Sequence, residues 1–253
     1  MTTVFDRALT ILDMVIAAEL GPGGYPGNVQ LTEQTGLDQA QVSRMLKVLA
    51  SAGLIERTTP VRGWRAGPSY FTLAAASGDQ ELLRQARPRL RSLVARWHEP
   101  AWLSVRADIL ALTVAAEPSH WSAYVAATPG ARTPVWCTGP GRALLLDHSD
   151  RQLTELLGHV ELIGGGPRAA RDVGKLAARN AEARAFGVVI ADREFEHDVV
   201  DFSAPVRDAD GVMVAALSVA VPRFRLADRQ DEVASSVVEA AQALEATWHA
   251  VGS

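Results

Sequence analysis

Residues 31–54, LTEQTGLDQAQVSRMLKVLASAGL, decide the fold of the first part of the chain, because a short helix, a glycine turn, a second helix and a glycine stop follow one another there. Leu31 to Thr35 predicts the first helix with Thr32 as its N-cap, and Gly36 supplies the left-handed backbone that the turn needs. Asp38 opens the second helix. Its carboxylate caps free N–H groups, and Gln41, three residues on, is placed to reach back in the reciprocal arrangement of a capping box. Val42, Met45, Leu46 and Leu49 recur at helical spacing as a buried stripe. Gln39, Gln41, Ser43, Arg44 and Lys47 are left near the outer face. Those side-chain types read a DNA groove: amides pair with adenine, arginine with guanine and lysine with phosphate.

The segment that follows, LIERTTPVRGWRAG at 54–67, predicts a short apolar strand, a tip rich in Thr, Pro and Arg, and a return strand through Trp64. This is the layout of a wing. Arg57, Arg62 and Arg65 fall where a winged helix touches the phosphate backbone or the minor groove, contacts that position a protein more than they specify sequence. The formal net charge of the chain is −4, yet residues 31–65 carry five basic side chains (Arg44, Lys47, Arg57, Arg62, Arg65) against three acidic ones (Glu33, Asp38, Glu56). Positive charge is thus confined to the proposed contact face, which implies weak non-specific and salt-sensitive specific binding to double-stranded operator DNA. One small module of modest charge also implies a dimer on paired half-sites. The same residues fit a winged helix that serves only structure or protein binding, since any surface helix carries Arg and Gln.

A chain of 253 residues that is 48% apolar predicts two globular domains. We place a winged helix-turn-helix domain at 1–78, a linker helix at 79–99 and a second domain at 100–253. Ahead of residue 31, Phe5, Ala8, Leu9, Leu12, Val15 and Ile16 form a helical stripe expected to cover the two helices. From Gln80 to His98 an apolar face made by Leu82, Leu83, Ala86, Leu90, Leu93, Val94 and Trp97 marks the linker helix, with Pro88 kinking or restarting it and Pro100 closing it. Beyond it the pattern changes. AWLSVRA and ILALTVAAE read as a hairpin about Ala107-Asp108, SAYVAA and PVWC as further strands, and DFSAPVRD with VMVAALSVAVP as a hairpin about an Asp-Ala-Asp-Gly turn. Helices are expected at GPGRALLLD, DRQLTELLG, DVGKLAARNAEARAFG (stopped by Gly187) and roughly Asp228 to His249. The fold class is α+β: a winged helix-turn-helix, a linker helix, and an antiparallel sheet covered by helices, the layout of a sensor domain.

Several function classes are excluded. There is no Gly-x-Ser-x-Gly elbow, phosphate loop or dinucleotide glycine fingerprint, so no enzyme and no cofactor is expected. The six histidines are scattered without metal-ligand spacing, so no metal is expected, with His197 beside Asp198 and Asp201 the nearest approach to a site. A single cysteine rules out an intrachain disulfide framework, no signal-peptide pattern opens the chain, and no apolar run suits a bilayer. The expectation is a cytoplasmic protein with no membrane partner. Cys137 is either a reactive thiol at a helix start or a small buried hydrophobe.

On TGLDQAQVSRMLKVLASAGLIER with GWRAGPSYFTLA in the first half, and GPGRALL with FGVVIADREFEHDVVDFSAPVRDADGVMVAALSVAVP in the second, the chain resembles the IclR-type bacterial transcriptional regulators over nearly its whole length. The resemblance implies a GAF-like effector-binding second domain, assembly as a dimer or a dimer of dimers, and a small metabolite, often an organic or aromatic acid, that modulates DNA binding or polymerase recruitment. Carried over by position, it places the effector pocket at Gly139, Gly141, Arg142 and Ala143 around a loop and at Asp201, Ser203 and Ser218 on strands, with Cys137 just ahead of the loop. The helix start after Gly141 offers free N–H groups to an anionic or carbonyl oxygen. Asp201 departs from the small polar residue or cysteine of many relatives, and Ala220 replaces a second small polar position. A carboxylate there repels a simple acid and favours a neutral or amine-bearing effector. Trp102, Trp121, Tyr124 and Trp136 allow an aromatic ligand stacked on a ring, although buried tryptophans more commonly build core.

The expectation is therefore a ligand-responsive repressor of a catabolic operon. Two alternatives stand beside it: a constitutive DNA-binding protein whose second domain only oligomerises, and a sensor or interaction protein that has lost sequence-specific DNA reading.

Overall fold

A computed structural model describes residues 3–20, 24–58, 63–70, 80–119 and 128–252. The chain divides into two compact units, Met1–Gln80 and Glu81–Ser253.

The first unit is built on α1 (Val4–Leu20), α2 (Asn28–Thr35), α3 (Gln39–Ser51) and an antiparallel pair, β1 (Ile55–Arg57) with β2 (Trp64–Ala66). Its core joins Ile11 and Val15 of α1, Leu31 of α2, Val42, Met45, Leu46 and Leu49 of α3, and Ile55 and Trp64 of the strands. The stripe expected on α3 is therefore the buried one. On α1 the buried face lies around Ile11 and Val15, whereas Phe5 is 71% exposed and Leu9 41%. Of the expected stripe, Val15 is core and Ala8 and Leu12 pack against it, whereas Phe5 and Leu9 do not, and Ile11 joins the core from outside the stripe.

Helix α2 starts earlier than its sequence suggests. Gly27 is the N-cap residue, so Thr32 lies within the helix and caps nothing. Its hydroxyl donates instead to the Asn28 carbonyl at 2.8 Å, the back-bonding that a mid-helix threonine commonly adopts. Gly36 takes φ +67° and ψ +10°, closing α2 as expected. The Asp38 carboxylate accepts the Gln41 N–H at 2.8 Å, which realises the Asp38 half of the anticipated capping box.

The second unit carries α4 (Gln80–Trp97), β3 (Ala101–Ala107), β4 (Leu110–Glu117), β5 (Arg132–Pro134), α5 (Gly139–Leu144), α6 (Asp150–Leu157), α7 (Val173–Phe186), β6 (Val189–Asp192), β7 (Val199–Arg207), β8 (Met213–Pro222), α8 (Arg223–Leu226) and α9 (Gln230–Gly252). All strand pairs are antiparallel, in the order β5-β4-β3-β8-β7-β6. Helix α4 runs through Pro88 without ending. The strand expected at PVWC stops at Pro134, and the chain turns through Val135 to Cys137. The segment expected as SAYVAA lies outside the described residues.

The sheet has two unlike faces. Leu103, Val200, Phe202, Leu217 and Val219 face α4 and α9, whose Leu82, Ala86, Leu90, Leu93, Val233, Val237 and Leu244 complete an apolar core. Ala111, Val189, Ala191 and Ala216 face the opposite way, into a core shared with α5, α6 and α7. Because side chains alternate across a strand and directly paired residues share a face, the registers Ala191↔Asp201↔Ala220, Val189↔Ser203↔Ser218 and Trp102↔Ser218 put Asp201, Ser203, Ser218 and Trp102 on this second face.

Candidate functional site

In the first unit, the spacing of α3 determines what it presents. With Val42, Met45, Leu46 and Leu49 turned inward, the centre of the outer face falls at Ala40, Ser43, Arg44, Lys47 and Ser51 at 100° per residue. Gln39 and Gln41 sit on its two flanks, and Arg44 and Lys47 are exposed. The wing arginines are less free. The Arg57 guanidinium lies 4.1 Å from the Trp64 ring centroid and donates to Asn28 Oδ1 at 3.2 Å, while Trp64 Nε1 donates to that same oxygen at 2.9 Å. Arg65 is ion-paired with Glu56, its Nε at 2.7 Å from the carboxylate. Arg62 lies outside the described residues.

In the second unit, a cavity of about 80 Å³ opens on the α5 face of the sheet. Trp102 and Phe195 supply aromatic walls, Thr113 and Thr133 hydroxyls, and Asp201 and Glu196 two carboxyls. No basic side chain lines it among the described residues. Helix α5 abuts it because Thr138 caps α5, accepting the Gly141 N–H at 3.2 Å while its own hydroxyl donates to the Pro134 carbonyl at 2.7 Å. The Gly139 N–H donates to Asp201 Oδ2 at 3.3 Å.

The electrostatics of this cavity follow from burial of its carboxyl. Burial pushes the Asp201 carboxyl up to about 7; the Gly139 N–H pulls the other way, and the neighbouring Glu196 and Glu194 reinforce the rise. Glu196 is exposed overall, but desolvation raises its carboxyl as well. Near neutral pH, Asp201 therefore exchanges between a hydrogen-bond donor and an anion.

The structure separates the residues that the sequence grouped. Trp102 and Asp201 line the cavity, and Gly139 touches it through Asp201. Ser203 and Ser218 are fully buried and satisfy each other at 2.8 Å. Trp136, Cys137 and Ala143 belong to the core behind α5. The Cys137 thiol is pushed up to about 12, first by burial and then by the charge of Glu194, which leaves it a small buried hydrophobe. The Gly141 N–H is spent on Thr138. Arg142, 3% exposed, points away from the cavity: its Nε donates to Asn180 Oδ1 at 3.1 Å and its Nη1 to Glu194 Oε1 at 2.6 Å. Tyr124 lies outside the described residues. Phe195, Glu196, Thr113 and Thr133 escaped the sequence reading. The acidic run of Glu194, Glu196 and Asp198 was a signal for Glu196, but only the turn after β6 aims it.

Residues 74–246 match the family described as bacterial transcriptional regulator IclR C-terminal, and residues 4–59 match the IclR helix-turn-helix domain. Among curated relatives, the HTH-type transcriptional regulator BhcR of Paracoccus denitrificans is 29% identical over 244 residues, covering 94% of this chain and 85% of its own. The Pca regulon regulatory protein of Pseudomonas putida is 31% identical over 193 residues, covering 75% and 65%. Among solved structures, an IclR homologue from Microbacterium hydrocarbonoxydans complexed with 4-hydroxybenzoate superposes with a TM-score of 0.80 at 22% identity, over 98% of this chain and 100% of that one. An IclR regulator from Alicyclobacillus acidocaldarius superposes at 0.76 and 18% identity, over 99% and 98%. No helix among the described residues is long and apolar enough to cross a membrane. With both of its parts matched in order, the chain belongs to the IclR family of bacterial transcriptional regulators.

Proposed function

We propose that this protein is a cytoplasmic, non-enzymatic repressor of a catabolic operon that binds operator DNA through residues 1–78 and is released by a small effector held in residues 100–253. The observation that carries the DNA half is α3: Asp38 caps its start, its apolar stripe is buried, and Ser43, Arg44 and Lys47 stand on the outer face. Arg44 is the base-reading candidate, and Arg57 and Arg65, already braced by Asn28 and Glu56, are backbone-positioning candidates. A second copy is the natural cover for Val4, Phe5 and Leu9, which are 70%, 71% and 41% exposed on α1.

The effector half rests on the Asp201 cavity. Two carboxyls, two aromatic walls and no lining cation suit a flat aromatic molecule that is neutral or carries an amine. The neutral Asp201 donates to a carbonyl or hydroxyl, and the ionised one pairs with an ammonium group. An aromatic acid such as 4-hydroxybenzoate, the ligand of the Microbacterium homologue, meets no counter-charge here.

Fluorescence anisotropy tests both halves. Labelled DNA from upstream of the protein's own gene, titrated at two salt concentrations, binds more tightly than a scrambled duplex, and tyramine weakens that complex more than 4-hydroxybenzoate does. Equal binding to scrambled DNA at both salts refutes the regulator acting at its own promoter. Equal or stronger release by 4-hydroxybenzoate refutes the charge argument alone.

A further inference from the structure

On the opposite face of the sheet, a second and larger cavity of about 480 Å³ opens between the end of α4, the end of β8, α8 and the first turn of α9. It shares no lining residue with the Asp201 cavity. Its floor is apolar, formed by Val221, Leu226 and Val233, one wall is the Trp97 indole with His98, Arg225 and Arg229 stand over it, and the one carboxylate lining it among the described residues, Glu99, is taken up by Arg225.

The charges are not equally committed. Arg225 is fixed to Glu99 at 3.0 Å, a carboxylate only 2% exposed. Arg229 meets Glu232 at 3.4 Å in a pair whose two side chains are both more than half exposed, an arrangement that holds weakly. Its guanidinium lies 4.6 Å from the Trp97 ring centroid. The cavity also meets the first turn of α9, a 23-residue helix whose leading N–H groups lack intrahelical acceptors. Asp231 and Glu232 in that turn offset part of its positive end.

We propose that this cavity is a second ligand site, for a small carboxylate-bearing metabolite with an apolar body. The carboxylate pairs with Arg229, and the apolar body lies on Val221, Leu226 and Val233 beside the Trp97 ring. A charge-assisted bond from a guanidinium gives such an acid what the Asp201 cavity withholds. The two faces of one sheet thus recognise ligands of opposite electrostatic character. The second site lies at the C-terminal end of α4, within the second unit.

Calorimetric titration of the full chain with benzoate, without DNA, tests this independently of the regulator reading. Benzoate should bind saturably to the wild type and to Asp201→Asn, with acetate weaker because it lacks the apolar body. Arg229→Ala should weaken benzoate roughly tenfold. Circular dichroism confirms that each variant folds. Absence of saturable binding to the wild type overturns the proposal, as does an Arg229→Ala variant that binds benzoate as tightly as wild type. Loss of binding in Asp201→Asn with retention in Arg229→Ala places benzoate in the first cavity and overturns it too.

Discussion

The main-chain N–H of Gly139 donates to Asp201 Oδ2 across 3.3 Å, tying the first residue of α5 to the third residue of β7. This bond exists because Gly139 has no side chain: a Cβ there would lie 2.5 Å from Asp201 Cβ and 2.7 Å from Ser203 Oγ. The start of α5 is therefore pressed against the strand that carries the titrating carboxyl, and anything that moves Asp201 must also shift the α5 loop.

Gly139→Ala is expected to force α5 away from β7 and to cost roughly 1 to 3 kcal/mol, the usual range for overpacking a filled site. Thermal denaturation and effector titration of the variant check this. A variant as stable as wild type, with an unchanged ligand response, would show that the close approach is not maintained in solution.

Asp201 keeps its proton to about pH 7 in the native state, against 3.8 for an unperturbed group. Between those values the folded chain holds a proton that the unfolded chain has lost, so the contribution of this residue to stability falls as pH rises through that window. Asp201→Asn, neutral at every pH, should gain melting temperature relative to wild type between about pH 4 and about pH 8. A constant difference across that range would mean that Asp201 titrates normally.

Arg44→Ala is expected to cost roughly 1 to 3 kcal/mol on the preferred DNA site if its guanidinium reads a base, with a much smaller loss on scrambled DNA. Anisotropy on both duplexes separates the outcomes. Equal loss on the two would make Arg44 a phosphate contact.

Glu194 receives Arg142 at 2.6 Å and Arg179 at 3.5 Å while 5% exposed, and burial raises its carboxyl against the pull of both arginines. Glu194→Ala strands Arg142 in the core and should cost about 3 to 5 kcal/mol. Pairing Glu194→Leu with Arg142→Met should recover much of that loss, because no buried charge is then left alone. Urea denaturation of wild type and the two variants checks it, and a double variant no better than Glu194→Ala would refute the ion pair as the cause.

Asn28→Ala removes the one oxygen that accepts from both Trp64 Nε1 and Arg57. It should cost about 1 to 3 kcal/mol in the stability of the first unit and should loosen Arg57. Hydrogen exchange at Trp64 reads the effect directly, and an unprotected indole N–H in the wild type would contradict the bond.

What the sequence by itself determined was local. The α3 stripe, the Asp38 cap, the left-handed Gly36, both hairpins of the second half and the α+β class all follow from periodicity, capping chemistry and turn residues acting within a few positions. Where two local signals competed, the sequence misled: Thr32 looks like a cap, but the helix begins after Gly27, and on α1 the stripe holds at Ala8, Leu12 and Val15 while Phe5 and Leu9 stay exposed and Ile11 enters the core. Only the tertiary structure decided what the loop residues do. Gly139, Gly141, Arg142 and Ala143 are neighbours in sequence, yet successive helical residues point about 100° apart. One therefore abuts Asp201, one closes a cap, one enters a buried ion pair and one fills core. The cavities, likewise, are made by residues far apart in the chain, and their electrostatic character depends on which charges are desolvated and which are paired, a property of the packed volume that no window of sequence contains.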